Sequence, residues 1–329
     1  MSLDLVLENF LSPPILFFFL GVFATLVRSD LEMPTQVARF LSLYLLFAIG
    51  LQGGYKLSGS ERSVEMLLML GAATATSFVI PLWSFALLRL KLPTPDAAAI
   101  AATYGSVSAV TFITAISFLN TLEVEYSGHM VAAMALMESP AIIVGVLLAR
   151  TFTSPGDNGG LPTPRQNWSD LGREAFLNGS VLVLLGSLVI GLVTGSEGWK
   201  SLDTFAYEDT FKGVLCLFLL DMGMVAAKRI KDLRDSGVVL VGFAIAAAVV
   251  HAMLGIVLAK LIGASEGDAL LLASLVGGAS YIAVPAAVRL AIPKANPSLY
   301  VPMALGLTFP FNVIIGIPMY YAIIKALWS

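Results

Sequence analysis

Two short stretches carry hydroxyls and glycines where an apolar helix would favour leucine. Residues 103–112 are TYGSVSAVTF, and residues 277–286 are GGASYIAVPA. Small side chains let backbones approach closely, and a glycine costs a helix about 1 kcal/mol relative to alanine. Pro285 cannot donate an N–H and suits the first turn of a helix that restarts. The pattern predicts two interrupted helices crossing at mid-membrane. The N–H groups that open a half-helix carry partial positive charge and hold anions, while freed carbonyls and hydroxyls suit a hard cation such as Na+. Gly105, Ser106, Val107, Ser108, Thr111, Ala279, Ser280 and Tyr281 are therefore the candidate residues for binding a small oxyanion. Helix packing explains one such cluster equally well. A second cluster at an equivalent place in a repeat weighs against that plainer reading.

Glu138, in LMESPAIIV, falls near the middle of an apolar run, where a carboxylate costs about 2.5–3.5 kcal/mol to insert and is functional by default. It fits an ion ligand, or a protonated group capping a nearby backbone break; the first is the stronger reading. Asn312 lies in the corresponding region of the other half as a neutral counterpart. The candidate ion-binding set is Ser108, Thr111, Glu138, Ser280 and Asn312, with no metal beyond Na+. Asp221 fits pairing with Lys228 and Arg229 as well as it fits function. His251 reads first as a hydrogen-bonded structural histidine and second as a proton relay. Cys216 reads as a small core hydrophobe, and as the only cysteine it excludes an internal disulfide. The chain has no GxxxxGK[ST] loop, HExxH or metal-spaced His/Cys set, so neither an enzyme nor a bound cofactor is expected. No nucleic-acid partner is expected either.

The elements that must place these residues are membrane helices. Of 329 residues, 57% are apolar and only 12% charged, too few charges to coat a soluble protein of this size. Apolar runs fit spans at about 12–28, 34–55, 64–89, 96–118, 129–151, 173–195, 207–227, 237–262, 268–290 and 299–327. A β-barrel would alternate apolar and polar residues and is excluded. The acidic N-terminus does not resemble a signal peptide. Between the fifth and sixth spans lies TFTSPGDNGGLPTPRQNWSDLG, a flexible linker by composition.

That midpoint suggests a duplication. PDAAAIAATYGSVSAVTF from 95 and GDALLLASLVGGASYIAV from 267 align without a gap, Asp96 on Asp268, Gly105 on Gly277 and Ser108 on Ser280. Five spans per half is an odd number, so the second half must insert upside down. The expected organisation is an all-α polytopic membrane protein of ten helices. Residues 1–152 form the first inverted repeat, 153–172 a cytoplasmic linker, and 173–329 the second repeat. Loops after odd-numbered spans carry 13 of the 19 basic residues, which puts them in the cytoplasm and both termini outside.

The whole pattern resembles the cyanobacterial sodium-dependent bicarbonate transporters of the SbtA type. The residues that carry the resemblance are IGLQGG at 49–54, GSVSAVT at 105–111, SPA at 139–141, MGM at 222–224, His251 and, most specific, VPAAVRLAIPKANPS at 284–298. The family leads one to expect a serine-rich run followed by Asp in the second break. This chain has Gly278, Ala279 and Ser280 followed by Tyr281, and in the first break Ala109 and Val110 replace hydroxyl or small positions. The resemblance implies Na+-coupled symport of bicarbonate in a bacterial inner membrane, a homotrimer whose core domain moves against a gate domain, and a PII-like regulator on the cytoplasmic face. The departures leave open another small anion such as a carboxylate, moved without Na+. A membrane sensor or assembly subunit that binds without transport is the reading from a different class.

Overall fold

Helices are the only regular elements among the described residues, which are 9–59, 63–152, 179–206, 208–230 and 237–329 of this computed structural model. The linker expected at 153–172 lies outside them, as does the start of the sixth span. Helix α1 is Pro13–Leu26, α2 Thr35–Ser58, α3 Val64–Leu88, α4 Thr94–Gly105, α5 Ala109–Thr121, α6 His129–Glu138 and α7 Pro140–Phe152. Helix α8 is Gly179–Ala206, α9 Glu208–Ile230, α10 Gly237–Ile262, α11 Glu266–Val276 and α12 Ala283–Ala291. The last helix, α13, runs Pro297–Trp328.

Eight helical stretches among the described residues are long and apolar enough to cross a membrane, with α4–α5 and α6–α7 each counted as one. Helix α1 is apolar but has 14 residues, and the ninth expected span is the broken pair α11 and α12, with 11 and 9 residues. Among the described residues, helix therefore falls within each of the ten expected stretches. One boundary differs. The sixth span was expected to end at 195, but α8 continues to Ala206 past a non-helical Gly195 at φ 55°. Only glycine enters that left-handed region without strain. The extra turns are held by aromatic contacts rather than by an apolar period. Trp199 stacks on Tyr55 with the ring planes 2° apart, and Phe205 packs edge-on against Tyr44, whose hydroxyl donates to the Phe205 carbonyl.

Glycines set the closest packings. Helix α1 lies along α9, and a methyl group at Gly21 or Gly223 would overlap the carbonyl oxygen of Leu220 or Phe18 on the facing helix. Helix α2 lies along α8, and Gly54 and Gly191 meet the carbonyls of Leu188 and Leu51 in the same way. The glycines of IGLQGG and MGM thus serve helix–helix approach.

The remaining helices pack around the two breaks. Helix α3 lies against α4, and α10 against α11; α7 lies against α4, and α13 against α11. Asp96, in the first turn of α4, accepts the Asn296 N–H at 2.7 Å. Asp268, in the first turn of α11, accepts both the N–H and the hydroxyl of Ser127 at 2.7 Å. Each carboxylate clasps the loop that leads into the last span of the opposite half.

Prolines shape both final spans. Pro140 divides α6 from α7. The neighbouring Met137 and Glu138 carbonyls accept hydrogen bonds from Ser77 at 2.6 Å and Ser106 at 3.1 Å. Helix α13 contains π-helical segments Met303–Thr308 and Asn312–Gly316, interleaved with Pro302, Pro310 and Pro318. A proline removes one N–H and crowds the preceding turn, which a wider turn relieves.

Candidate functional site

The first break is a local consequence of its sequence. Helix α4 ends at Gly105, whose missing side chain leaves room for the Pro81 ring of α3. Ser106 and Ser108 are extended, and α5 restarts at Ala109 with Ser108 as its N-cap. The Ser108 Oγ accepts the Thr111 N–H at 3.2 Å and the Thr111 hydroxyl at 2.9 Å. The second break repeats this plan. Helix α11 ends at Val276, and α12 restarts at Ala283. The Ser280 Oγ accepts the Val284 N–H at 3.3 Å. The two breaks touch, because the Ser280 N–H donates to the Thr103 carbonyl at 2.9 Å. The freed Gly277 carbonyl accepts from the Asn312 Nδ2 at 2.8 Å, and the Asn312 Oδ1 accepts from Tyr320 at 2.9 Å.

A pocket opens where the two restarting helices meet, walled on the other side by α2, α6 and α8. Its volume is about 30 Å3, room for about two waters. The first N–H groups of α5 and α12 have no acceptor within their own helices, so both positive helix ends converge here. Ser108 and Ser280 are spent as acceptors from those helices, which leaves each hydroxyl proton free to donate into the pocket. Tyr281 lies beside Ser108, with its ring against Phe309 at 5.6 Å. Its hydroxyl is buried without a partner. Among the described residues Glu138 supplies the only carboxylate of the lining, and no Lys, Arg or His lines it. The arrangement offers donors to an anion and one negative oxygen pair to a cation.

Of the residues singled out from sequence, Val107, Ser108, Glu138, Ser280 and Tyr281 line this pocket. Gly105, Ser106, Thr111, Ala279 and Asn312 are buried behind it and do not. Their contacts are those of a frame: Gly105 admits Pro81, Ser106 ties the break to Glu138, and Asn312 holds Gly277. Sequence reasoning missed Ser42 on α2 and Ser180 on α8, which face the breaks from the opposite wall. Each is a single serine in an apolar helix, without a cluster or period to mark it.

Three other expectations meet the structure here. His251 is 1% exposed but neither ring nitrogen has a hydrogen-bond partner among the described residues, which corrects the hydrogen-bonded reading. Its ring is held edge-on against Trp83 at 4.9 Å instead. Asp221 is buried and makes no ion pair with Lys228 among the described residues. Cys216 is buried, as expected of a small hydrophobe, but it also borders a second cavity.

A family model described as the Na+-dependent bicarbonate transporter superfamily matches residues 13–325. Among curated proteins, none matches the chain.

Proposed function

The chain belongs to the Na+-dependent bicarbonate transporter superfamily, and from that premise we propose that it carries bicarbonate together with Na+ by alternating access to the pocket between its broken helices. The observation that carries this reading is the convergence of two half-helix N-termini and a lone carboxylate on one small pocket. Bicarbonate would take the N–H groups of α5 and α12 and the hydroxyls of Ser108, Ser280 and Tyr281. Na+ would take Glu138. An anion alone in a low-dielectric site is costly, and beside Glu138 it would also be repelled; an adjacent Na+ offsets both. A 1:1 pair is neutral, so the membrane potential neither drives nor opposes it. A tenfold Na+ gradient then supplies about 1.4 kcal/mol, enough for about tenfold accumulation.

The duplicated contacts support the inverted-repeat reading: helix pairs α1–α9 and α2–α8 exchange under the same relation that takes Ser108 to Ser280 and Asp96 to Asp268. We further propose a bacterial inner-membrane location with both termini outside, a trimer, and a PII-like regulator on the linker side. Light scattering of the purified protein checks the trimer, and pull-down with a PII-like protein checks the regulator.

The deciding experiment is uptake of labelled bicarbonate into proteoliposomes with and without an inward Na+ gradient. Uptake that depends on Na+ is the expected result; active protein with no Na+-dependent uptake refutes the symport. Tyr281 standing where the resemblance leads one to expect Asp favours a second reading, Na+-independent movement of another small anion such as a carboxylate. Thermal-shift measurements with a panel of anions in Na+ or K+ separate the two: stabilisation by an anion equal in both cations supports the second.

A further inference from the structure

The mid-membrane pocket is not the larger cavity of the protein. A second one, about 330 Å3, lies between the start of α1, the second half of α5 and the start of α9. We propose that it is a separate binding site for small anions, an antechamber at the end of the bundle that carries the 122–128 loop. This goes beyond the symport reading, which uses none of its residues.

The case rests on the charges and donors that face the cavity. Lys212 lines it, is exposed, and makes no ion pair or hydrogen bond among the described residues. Among the described residues no carboxylate lines it. Helix α1, of 14 residues, begins at its wall, and Ser12, the N-cap of α1, makes no side-chain capping bond, so its hydroxyl is open to the cavity. Pro13 and Pro14 open α1 and carry no N–H, so the lysine supplies the positive charge. On α5, Thr114 and Thr121 donate their hydroxyls back to the Val110 and Ser117 carbonyls. The Ser117 hydroxyl makes no such bond among the described residues and is left as a donor. An ammonium and two hydroxyls select negative charge. The volume holds about ten times that of the mid-membrane pocket, so an anion here keeps much of its water. Thr111, Thr114, Ser117 and Thr121 fall on one face of α5 by their spacing, and that face runs from the Ser108 cap to this cavity. From Ser108 to Thr114 the rise is about 9 Å.

The cavity contains its own reporter. Cys216 is the chain's only cysteine and lines this cavity. In purified protein in nanodiscs, both ends are accessible, so membrane orientation does not enter. The experiment compares labelling of Cys216 by anionic sulfonatoethyl and cationic trimethylammonioethyl methanethiosulfonate, each rate normalised to free cysteine. The thiolate attacks the reagent's sulfenyl sulfur, a mixed disulfide forms, methanesulfinate leaves, and the thiol proton passes to solvent. The expected result is faster labelling by the anionic reagent, slowed by added bicarbonate, with the anionic-to-cationic ratio falling about tenfold in Lys212→Gln. High salt should shrink the preference. Equal normalised rates overturn the proposal, as does a ratio unchanged in Lys212→Gln or a Cys216 that neither reagent reaches. Thermal melting of Lys212→Gln establishes that the fold is intact. The readout does not involve transport. Na+-driven uptake without a charge preference removes this site alone, and a charge preference without uptake removes the symport alone.

Discussion

At the residue scale the pocket asks different things of its two acidic or phenolic groups. Glu138 has no basic neighbour in the lining among the described residues, so a cation is its natural partner. Glu138→Gln should lower apparent Na+ affinity by at least about tenfold while the protein stays folded, measured as the Na+ dependence of uptake; an unchanged Na+ dependence assigns Glu138 to structure instead. Tyr281 gives a prediction of opposite sign for stability and function. Its buried hydroxyl makes no hydrogen bond, so Tyr281→Phe removes a desolvated polar group and should leave thermal stability equal or raised by about 1 kcal/mol. The same change deletes a donor to the anion and should weaken anion binding about five- to tenfold, read from KM for uptake. A loss of stability with unchanged KM would show that the hydroxyl has a structural partner. The sequence made these residues visible because clustered hydroxyls and a mid-span carboxylate are conspicuous in apolar helices. It could not separate the lining from its frame. Ser106 and Ser108 are two positions apart in an extended segment, and only the fold decides that one ties down Glu138 while the other faces the pocket.

At the element scale the two breaks are held open by other elements. A half-helix end inside a bilayer leaves backbone groups that must find partners in protein or in a wet cavity. The Gly277 carbonyl finds Asn312, and Asn312 is fixed by Tyr320, all buried. Asn312→Ala orphans both the carbonyl and the Tyr320 hydroxyl and should cost about 1–3 kcal/mol for each, seen as a lowered melting temperature with loss of transport. Asn312→Gln, too long for the same two bonds, should not restore it. The glycine packings predict a contrasting defect. Gly54→Val forces α2 away from α8 and should cost about 1–3 kcal/mol or more by overpacking. Element positions were largely legible, because a twenty-residue apolar run has few alternatives in a bilayer. The turns of α8 beyond Gly195 were not, since Trp199 and Phe205 are placed by Tyr55 and Tyr44 from another helix. The π-segments of α13 were foreshadowed by three prolines, but the wider turn is one of several ways a helix accommodates proline.

At the scale of the whole molecule, the two ends of the pocket are not equivalent. Toward one end it reaches Ser42, in the first half of α2, and Ser180, at the described start of α8. Toward the other, α2 is pressed onto the segment that begins α6. Gly53 abuts Val131, and Gly128 sits on the Gly53 carbonyl, with no space for a side chain at either glycine. Polar contacts fasten the same seam. The Tyr126 hydroxyl donates to Gln52 at 2.9 Å, and the Lys56 ammonium lies 3.5 Å from the centre of the Tyr126 ring while donating to its carbonyl. The nearby Lys56–Glu125 pair, at 3.7 Å, adds little because Glu125 is 95% exposed. Asp268 clamps the adjacent Ser127, and its counterpart Asp96 clamps the opposite end of the bundle at Asn296. Alternating access requires that one such seam open as the other closes. Tyr126→Leu removes a cation–π contact of about 1–2 kcal/mol and a buried hydrogen bond of about 1 kcal/mol from the closed seam only. The population with that seam open should therefore rise about ten- to a hundredfold. A Val107→Cys reporter in a Cys216→Ser background reads it, because Val107 lines the pocket. An impermeant thiol reagent applied from the side of the 122–128 loop should label the reporter at least about tenfold faster in Tyr126→Leu. If the rate is unchanged while labelling from the other side persists, Tyr126 does not fasten the seam, and the barrier at that end is the backbone packing of Gly53 and Gly128 alone.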